Sequence, residues 1–278
     1  MNHSGATSDQ RAAVEVSKTR MELTKFCFIT LEELPFRLAC TEARFFPGGL
    51  NVVKNCYSLV ARQSLSHQKQ CEEEFQSVFR RLEMDHWSKT AYIDLLLKPS
   101  EEDLKIWPHS FEFRLRVSLA AEGYLTLISR IRNINCKPFS FSFAYHPYFS
   151  ISDISEVRIE GLETLDYLDN LFQKERFTEQ GDALTFESEV DRAYLRSKDV
   201  IAVFDHEKKR TFAVRKEGLP DVVVWNPWEK RSKAIVDLGD EEYKQMLCVN
   251  GASIEKPITL KPGEEWTGRL ELSVVPSS

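Results

Sequence analysis

From about Trp107 onward the chain alternates apolar and polar residues with a period of two, and no other feature of its 278 residues constrains the fold as much. Successive side chains of a strand point to opposite faces, so this rhythm puts one set in a core and the other in water. Phe111, Phe113, Leu115, Val117 and Leu119 alternate with Glu112, Arg114, Arg116 and Ser118. Leu125, Leu127 and Ile131 resume the pattern after Glu122-Gly123, which predicts a hairpin. Phe139, Phe141, Phe143 and Tyr145 predict a third strand with an aromatic inward face, ending at His146-Pro147. Shorter strands are expected at 156–159, 184–187, 200–204, 211–214, 221–225 and 269–275, separated by turn signals such as Glu217-Gly218 and Lys261-Pro262-Gly263. Helix-period stretches are scarce. Many short strands at near-regular spacing predict an all-β chain, a large antiparallel β-sandwich rather than a run of β-α-β units.

Charge and cysteine usage narrow the function. With 43 acidic against 37 basic side chains the net charge is -6, so no broad cationic field is available for phosphate backbones or anionic lipid. Neither nucleic acid nor a membrane is an expected partner. The first eleven residues are polar, and nowhere do about 18 apolar residues run together, from which a cytoplasmic location is expected. Cys27, Cys40, Cys56, Cys71, Cys136 and Cys248 are scattered without a C-x-x-C pair and read as free thiols. No G-x-x-x-x-G-K-[ST], G-x-G-x-x-G, H-E-x-x-H or G-x-S-x-G element occurs, which weakens nucleotide, metallohydrolase and serine-hydrolase assignments.

A histidine and a few carboxylates remain. His146 closes an aromatic strand in FAYHPYF, so its imidazole is expected at a rim walled by rings, where it could give or take a proton near neutrality. Taken alone, a packed histidine satisfied by a carbonyl is the simpler account. Glu255, in ASIEKPITL, sits between apolar residues that would desolvate it and raise its basicity, although a glutamate beside a lysine is commonly a surface group. VVVWNPW places Asn226 between Trp225 and Trp228, a grouping that suits a sugar ring and equally suits a core. Asp191, in DRAY, is expected at a strand-to-turn junction, where it could accept a hydroxyl hydrogen bond or simply shape the turn.

The segments FAYHPYF, ISDISEVRIEGLETLDYLDNL, RFTEQGDALTFESEVDRAYL, DHEKKRTFAVRKEGLPDVVVWNPWEK and IEKPITLKPGEEWTGRLELS carry a resemblance. They resemble the plant hexose-6-phosphate mutarotases, also called glucose-6-phosphate 1-epimerases or apospory-associated protein C-like proteins, of the galactose-mutarotase-like superfamily. The resemblance is nearly continuous from Ser88 to Ser278. It implies a single β-sandwich domain over 1–278 and exchange of the α and β anomers of a hexose 6-phosphate, chemistry that requires no metal or organic cofactor; a monomer is expected. It implies that His146 is the general acid, Glu255 the general base and Asp191 an acidic substrate-binding position, and Trp225 and Asn226 are expected, from the residues themselves, beside them in the substrate seat. Acid and base should then converge on one rim, close enough to share a pyranose. Pro147 stands where the family usually has threonine, and Asn250 where it usually has aspartate.

The family's R-G-G-I-P, P-Q-F-G and H-G-F-A-R-N elements, which supply phosphate-binding arginines, are missing. A one-base shift offers an account. An ordinary choice of codons for K-A-M-R-G-G-I-P-I-C-F, with its first base dropped, reads Lys69-Gln70-Cys71-Glu72-Glu73-Glu74-Phe75-Gln76-Ser77-Val78-Phe79. The same shift yields Cys56 to Gln68 and Lys25 to Ala43 from family-like segments. Residues 19–84 are therefore expected to be out of frame, and 25–81 to be the least regular part of the chain. The alternative function is that of a catalytically impaired carbohydrate-binding or interaction module.

Overall fold

The alternation is realised as two stacked sheets. The computed structural model describes residues 90–276 except 121–122 and 236–237, together with strand segments 23–25, 28–30, 37–40, 56–59 and 81–85. Among these residues one antiparallel sheet runs β1 (Leu23–Lys25), β10 (Tyr148–Ser150), β18 (Met246–Leu260), β17 (Asp221–Asn226), β14 (Val190–Tyr194), β12 (Asp166–Asp169), β13 (Glu175–Thr178), with β9 (Phe139–Ala144) also paired to β18. The second runs β11 (Val157–Glu160), β15 (Val200–Asp205), β16 (Arg210–Glu217), β19 (Glu265–Pro276), β8 (Leu125–Asn133), β7 (Phe111–Ala120), β6 (Thr90–Leu97), β5 (Arg81–Asp85). Three further short strands, β2 (Phe28–Thr30), β3 (Arg37–Cys40) and β4 (Cys56–Leu59), form a separate sheet. Apart from the strands just given, the stretch expected to be irregular and out of frame lies outside the described residues.

One apolar cluster fills the space between the two large sheets, drawing Phe143, Tyr145, Val222, Val224, Leu247 and Val249 from the first and Leu125, Leu127, Val214, Leu270 and Leu272 from the second. Each such side chain, taken fully out of water, stabilises the fold by about 1.5–3 kcal/mol. The predicted hairpin is present as β7 and β8, in register from Phe111↔Asn133 to Leu119↔Leu125. The aromatic strand is present as well. Phe143 packs on Trp266 with centroids 4.7 Å apart, and the buried Tyr145 hydroxyl donates to Ser129 Oγ at 2.8 Å. At the expected Glu217-Gly218 turn Gly218 takes φ +69°, and any Cβ there would collide with the Thr267 carbonyl oxygen.

Two expectations change. Residues 184–187 do not form a strand, and only Leu184 pairs, with Ile159. Asp191 is not at a strand-to-turn junction but is the second residue of β14, between β12 and β17. Strands β12, β13 and β14 are only four to five residues long, too short to display the alternation that reveals longer strands.

Candidate functional site

The strand register of the first sheet writes out a row of side chains. Tyr148 pairs with Cys248, Cys248 with Trp225, and Trp225 with Asp191, across β10, β18, β17 and β14. Their sequence neighbours Phe149, Leu247, Val224 and Val190 belong to the inter-sheet core. By the period-two rule the row therefore occupies the opposite face, turned away from the second sheet. A second row follows, with Asn250 beside Val223, Val223 beside Ala193, Ala193 beside Leu168 and Leu168 beside Arg176. The third begins Ala144, Ala252, Asp221.

His146 lies just beyond the end of β9, and the first row forms its wall. Its ring stacks on Tyr148 at 4.9 Å with an interplanar angle of 8°, and meets Trp225 edge-on at 5.4 Å. The ring-walled rim expected from FAYHPYF is present, but one wall comes from Trp225, nearly eighty residues away in the chain. Asp191 sits next to Trp225 in the row. Burial pushes its carboxyl above the ordinary range, opposed by a hydrogen bond from Asn170 Nδ2 at 2.8 Å and by the Arg231 guanidinium at 3.8 Å. Between Tyr148 and Trp225 the Cys248 side chain is fully buried, and desolvation pushes its thiol pKa up, so the floor of the site is uncharged.

Glu255 reaches the same sheet differently. Strand β18 shifts register between Ser253 and Ile258, so residues 254–257 bulge from the ladder, and Glu255 rides on that bulge. Its apolar sequence neighbours do not wall it in. Instead Arg196 Nε donates to Oε2 at 3.1 Å and Arg176 Nη2 to Oε1 at 3.4 Å, while both its own N–H and that of Ile254 donate to the buried Asp221 carboxylate, at 2.9 and 2.7 Å. Arg176, Arg196 and Asp221 were not legible as site residues. They lie on three separate segments, and only the register shows that they meet.

The two tryptophans part company. Trp225 faces His146, whereas Trp228 turns to Tyr243 at 5.5 Å. Asn226 is fully buried, its amide nitrogen donating to the Tyr243 and Met246 carbonyls at 2.8 Å each, and its Oδ1 accepting from the Trp228 N–H at 2.9 Å. The direct sugar contact expected of Asn226 thus gives way to a tethering role: all its polar atoms are engaged by the main chain, and they fix the turn that carries Trp225. Among the described residues no group of three or more histidines, cysteines or carboxylates is arranged to hold a metal ion.

Residues 76–273 match the family model described as aldose 1-epimerase. The chain is 70% identical over 190 residues to a protein of Cenchrus ciliaris provisionally named glucose-6-phosphate 1-epimerase, a match covering 68% of this chain and 58% of that one. An Escherichia coli protein of the same provisional name is 30% identical over 178 residues, covering 64% of this chain and 58% of its own length. The chain thus spans less than two thirds of the relatives it matches. Among solved structures, a Salmonella typhimurium protein provisionally called a mutarotase superposes with a TM-score of 0.63 at 23% identity, over 72% of this chain and 65% of that one. A galactose mutarotase-like protein of Clostridium acetobutylicum gives 0.55 at 18%, over 72% and 66%. These two likenesses concern the fold.

Proposed function

Because the chain belongs to the aldose 1-epimerase family, we propose that it interconverts the α and β anomers of a hexose 6-phosphate on the outward face of its first sheet. The observation that carries this reading is the set of adjoining cross-strand rows, which gives one face a ring-stacked histidine, a flat indole, a desolvated carboxyl and a fixed carboxylate. Glu255 takes the proton from the anomeric O1 hydroxyl while protonated His146 delivers one to the ring oxygen. The C1–O5 bond breaks, the O1–H electrons form the aldehyde, and rotation about C1–C2 followed by reclosure inverts the centre. Ring oxygen and O1 are both bonded to C1, so two groups reaching one pyranose suffice, each contributing on the order of 10²–10⁴ in rate.

Trp225 offers its face to the C–H side of the sugar, and Asp191 accepts from a hydroxyl. Two provisionally named glucose-6-phosphate 1-epimerases among the relatives support a phosphorylated hexose. The reading includes a monomer in the cytoplasm that works without metal or organic cofactor. The free Cys136 and Cys248 thiols accord with a reducing compartment. It also includes an out-of-frame origin for residues 19–84, which a transcript sequence tests directly: an intact frame encoding these residues in related transcripts would remove it.

Two-dimensional exchange NMR on freshly dissolved α-glucose 6-phosphate tests the activity. Exchange above the spontaneous rate that vanishes in both His146→Ala and Glu255→Ala is the expected result. Exchange that survives both changes refutes the assignment.

A further inference from the structure

The bulge that carries Glu255 has left its ladder, so something other than strand pairing must hold it. We infer that Asp221 is a positioning residue for the general base, with Lys216 as its support, an inference that rests on the role proposed for Glu255. Asp221 is 1% exposed and accepts three main-chain N–H groups from two segments: Ile254 at 2.7 Å, Glu255 at 2.9 Å and Arg196 at 3.1 Å. A carboxylate satisfied in this way by fixed amides is among the stronger hydrogen-bond acceptors a protein can build. It orients Glu255 through the backbone and leaves the side chain to the Arg176 and Arg196 guanidinium groups.

The same carboxylate places Glu255's partner. Arg196 adopts φ +52°, a left-handed conformation that costs a non-glycine residue energy and persists only where surroundings enforce it. Its N–H is held by Asp221 Oδ1, and its guanidinium runs to Glu255 Oε2. The next residue is held too, since the Ser197 N–H donates to the Pro220 carbonyl at 2.9 Å. Lys216, also 1% exposed, closes the device, donating from Nζ to the Leu219 carbonyl at 2.7 Å and the Ser197 carbonyl at 3.3 Å. One buried ammonium and one buried carboxylate thereby fasten the 195–197 turn, the 219–221 turn and the 254–257 bulge to each other. No step of the proposed chemistry uses either group, and a surface loop needs no such clamp. A base that must meet one hydroxyl within a few tenths of an ångström does.

The test has a structural and a kinetic arm. In the unaltered chain the Ile254 and Glu255 amides should exchange with solvent deuterium at least about 100-fold more slowly than free peptide amides, although neither has a strand partner there. Fast exchange at both would overturn the inference without any variant. Asp221→Asn should speed that exchange about tenfold or more while the Val224 amide, in the core of β17, is unchanged, and kcat should fall about tenfold with KM within about twofold. Lys216→Met should move both readouts the same way, and serves if Asp221→Asn does not fold. Glu255→Gln is the reference. If it is inactive and both other variants keep kcat and protection, Asp221 does not position the base. If Glu255→Gln is as active as the unaltered chain, the catalytic reading fails and the exchange arm alone decides whether Asp221 holds the bulge.

Discussion

His146 and Glu255 occupy one sheet but live in opposite surroundings. The histidine is held by rings, Tyr148 stacked on it and Trp225 at its edge. The glutamate is held by charge and by main-chain amides, through Arg196, Arg176 and Asp221. The contrast fits the different roles proposed for the two groups. Stacked and edge-on rings fix the plane of an imidazole, a side chain able to give or take a proton. Guanidinium hydrogen bonds to the side chain, with Asp221 anchoring the backbone beneath it, hold a carboxylate in one orientation, as a group that must meet one hydroxyl requires.

The two ends should answer differently to substitution. The largest effect is expected from removing either group: Glu255→Gln and His146→Phe should each lower kcat by roughly 10²–10⁴, measured by polarimetry of fresh α-anomer. Loss at one position only would mean that the two ends do not work as a pair. Next, joining an in-frame R-G-G-I-P to H-G-F-A-R-N segment to this chain should raise kcat/KM for glucose 6-phosphate by roughly two to four powers of ten. Two guanidinium–phosphate hydrogen bonds, at about 1.5–3 kcal/mol each, set that range. Equal rates with and without the segment would show that the chain holds phosphate by other means.

A smaller effect separates the ring-held end. Tyr148→Leu removes a stacking partner whose contribution is about 0.5–1.5 kcal/mol, so kcat should fall between about twofold and tenfold. Glu255-dependent readouts, such as exchange of the Ile254 amide, should not move.

The smallest effect is on stability. Burial raises the Asp191 carboxyl above its ordinary value of 3.8, so the folded chain binds this proton more tightly than the unfolded chain does. Its contribution favours the fold below pH 3.8 and is lost as pH rises through the folded value, leaving a net penalty at neutrality. Asp191→Asn should therefore lower activity yet raise the melting temperature by a degree or a few near pH 7, with that gain shrinking as the pH approaches 4. A lower melting temperature at pH 7 would mean that the Arg231 and Asn170 contacts outweigh desolvation.

The comparison also explains which parts of the site could be read in the sequence. The ring-held end was legible because its local signal is strong: the aromatic alternation of β9 runs into FAYHPYF and leaves His146 at the rim just past the strand's end. The charge-held end was only half legible. Glu255 could be named, but Asp221 looked like the opening residue of an apolar strand, Arg176 lies on a short exposed strand, and Arg196 follows a buried leucine in a turn. Their meeting depends on a bulge in β18, and the sequence around 253–258 carries no glycine to announce one. The fold was legible for the same reason as His146, through long strands such as β7 and β8, whereas β12, β13 and β14 were too short to show a period.

The row from Tyr148 to Asp191 also bears on how the chain is made. Tyr148 meets Cys248, a hundred residues later, and His146 precedes Glu255 by a similar span. At about 5–20 residues per second, a ribosome exposes His146 some 5–20 s before Glu255 emerges. During that interval β9 and β10 lack the strand that joins them, and no fragment ending before β18 can assemble any row of the site. Under the proposed function, a prematurely terminated product would thus be inert toward sugar, and activity would report that synthesis had run at least through Leu260.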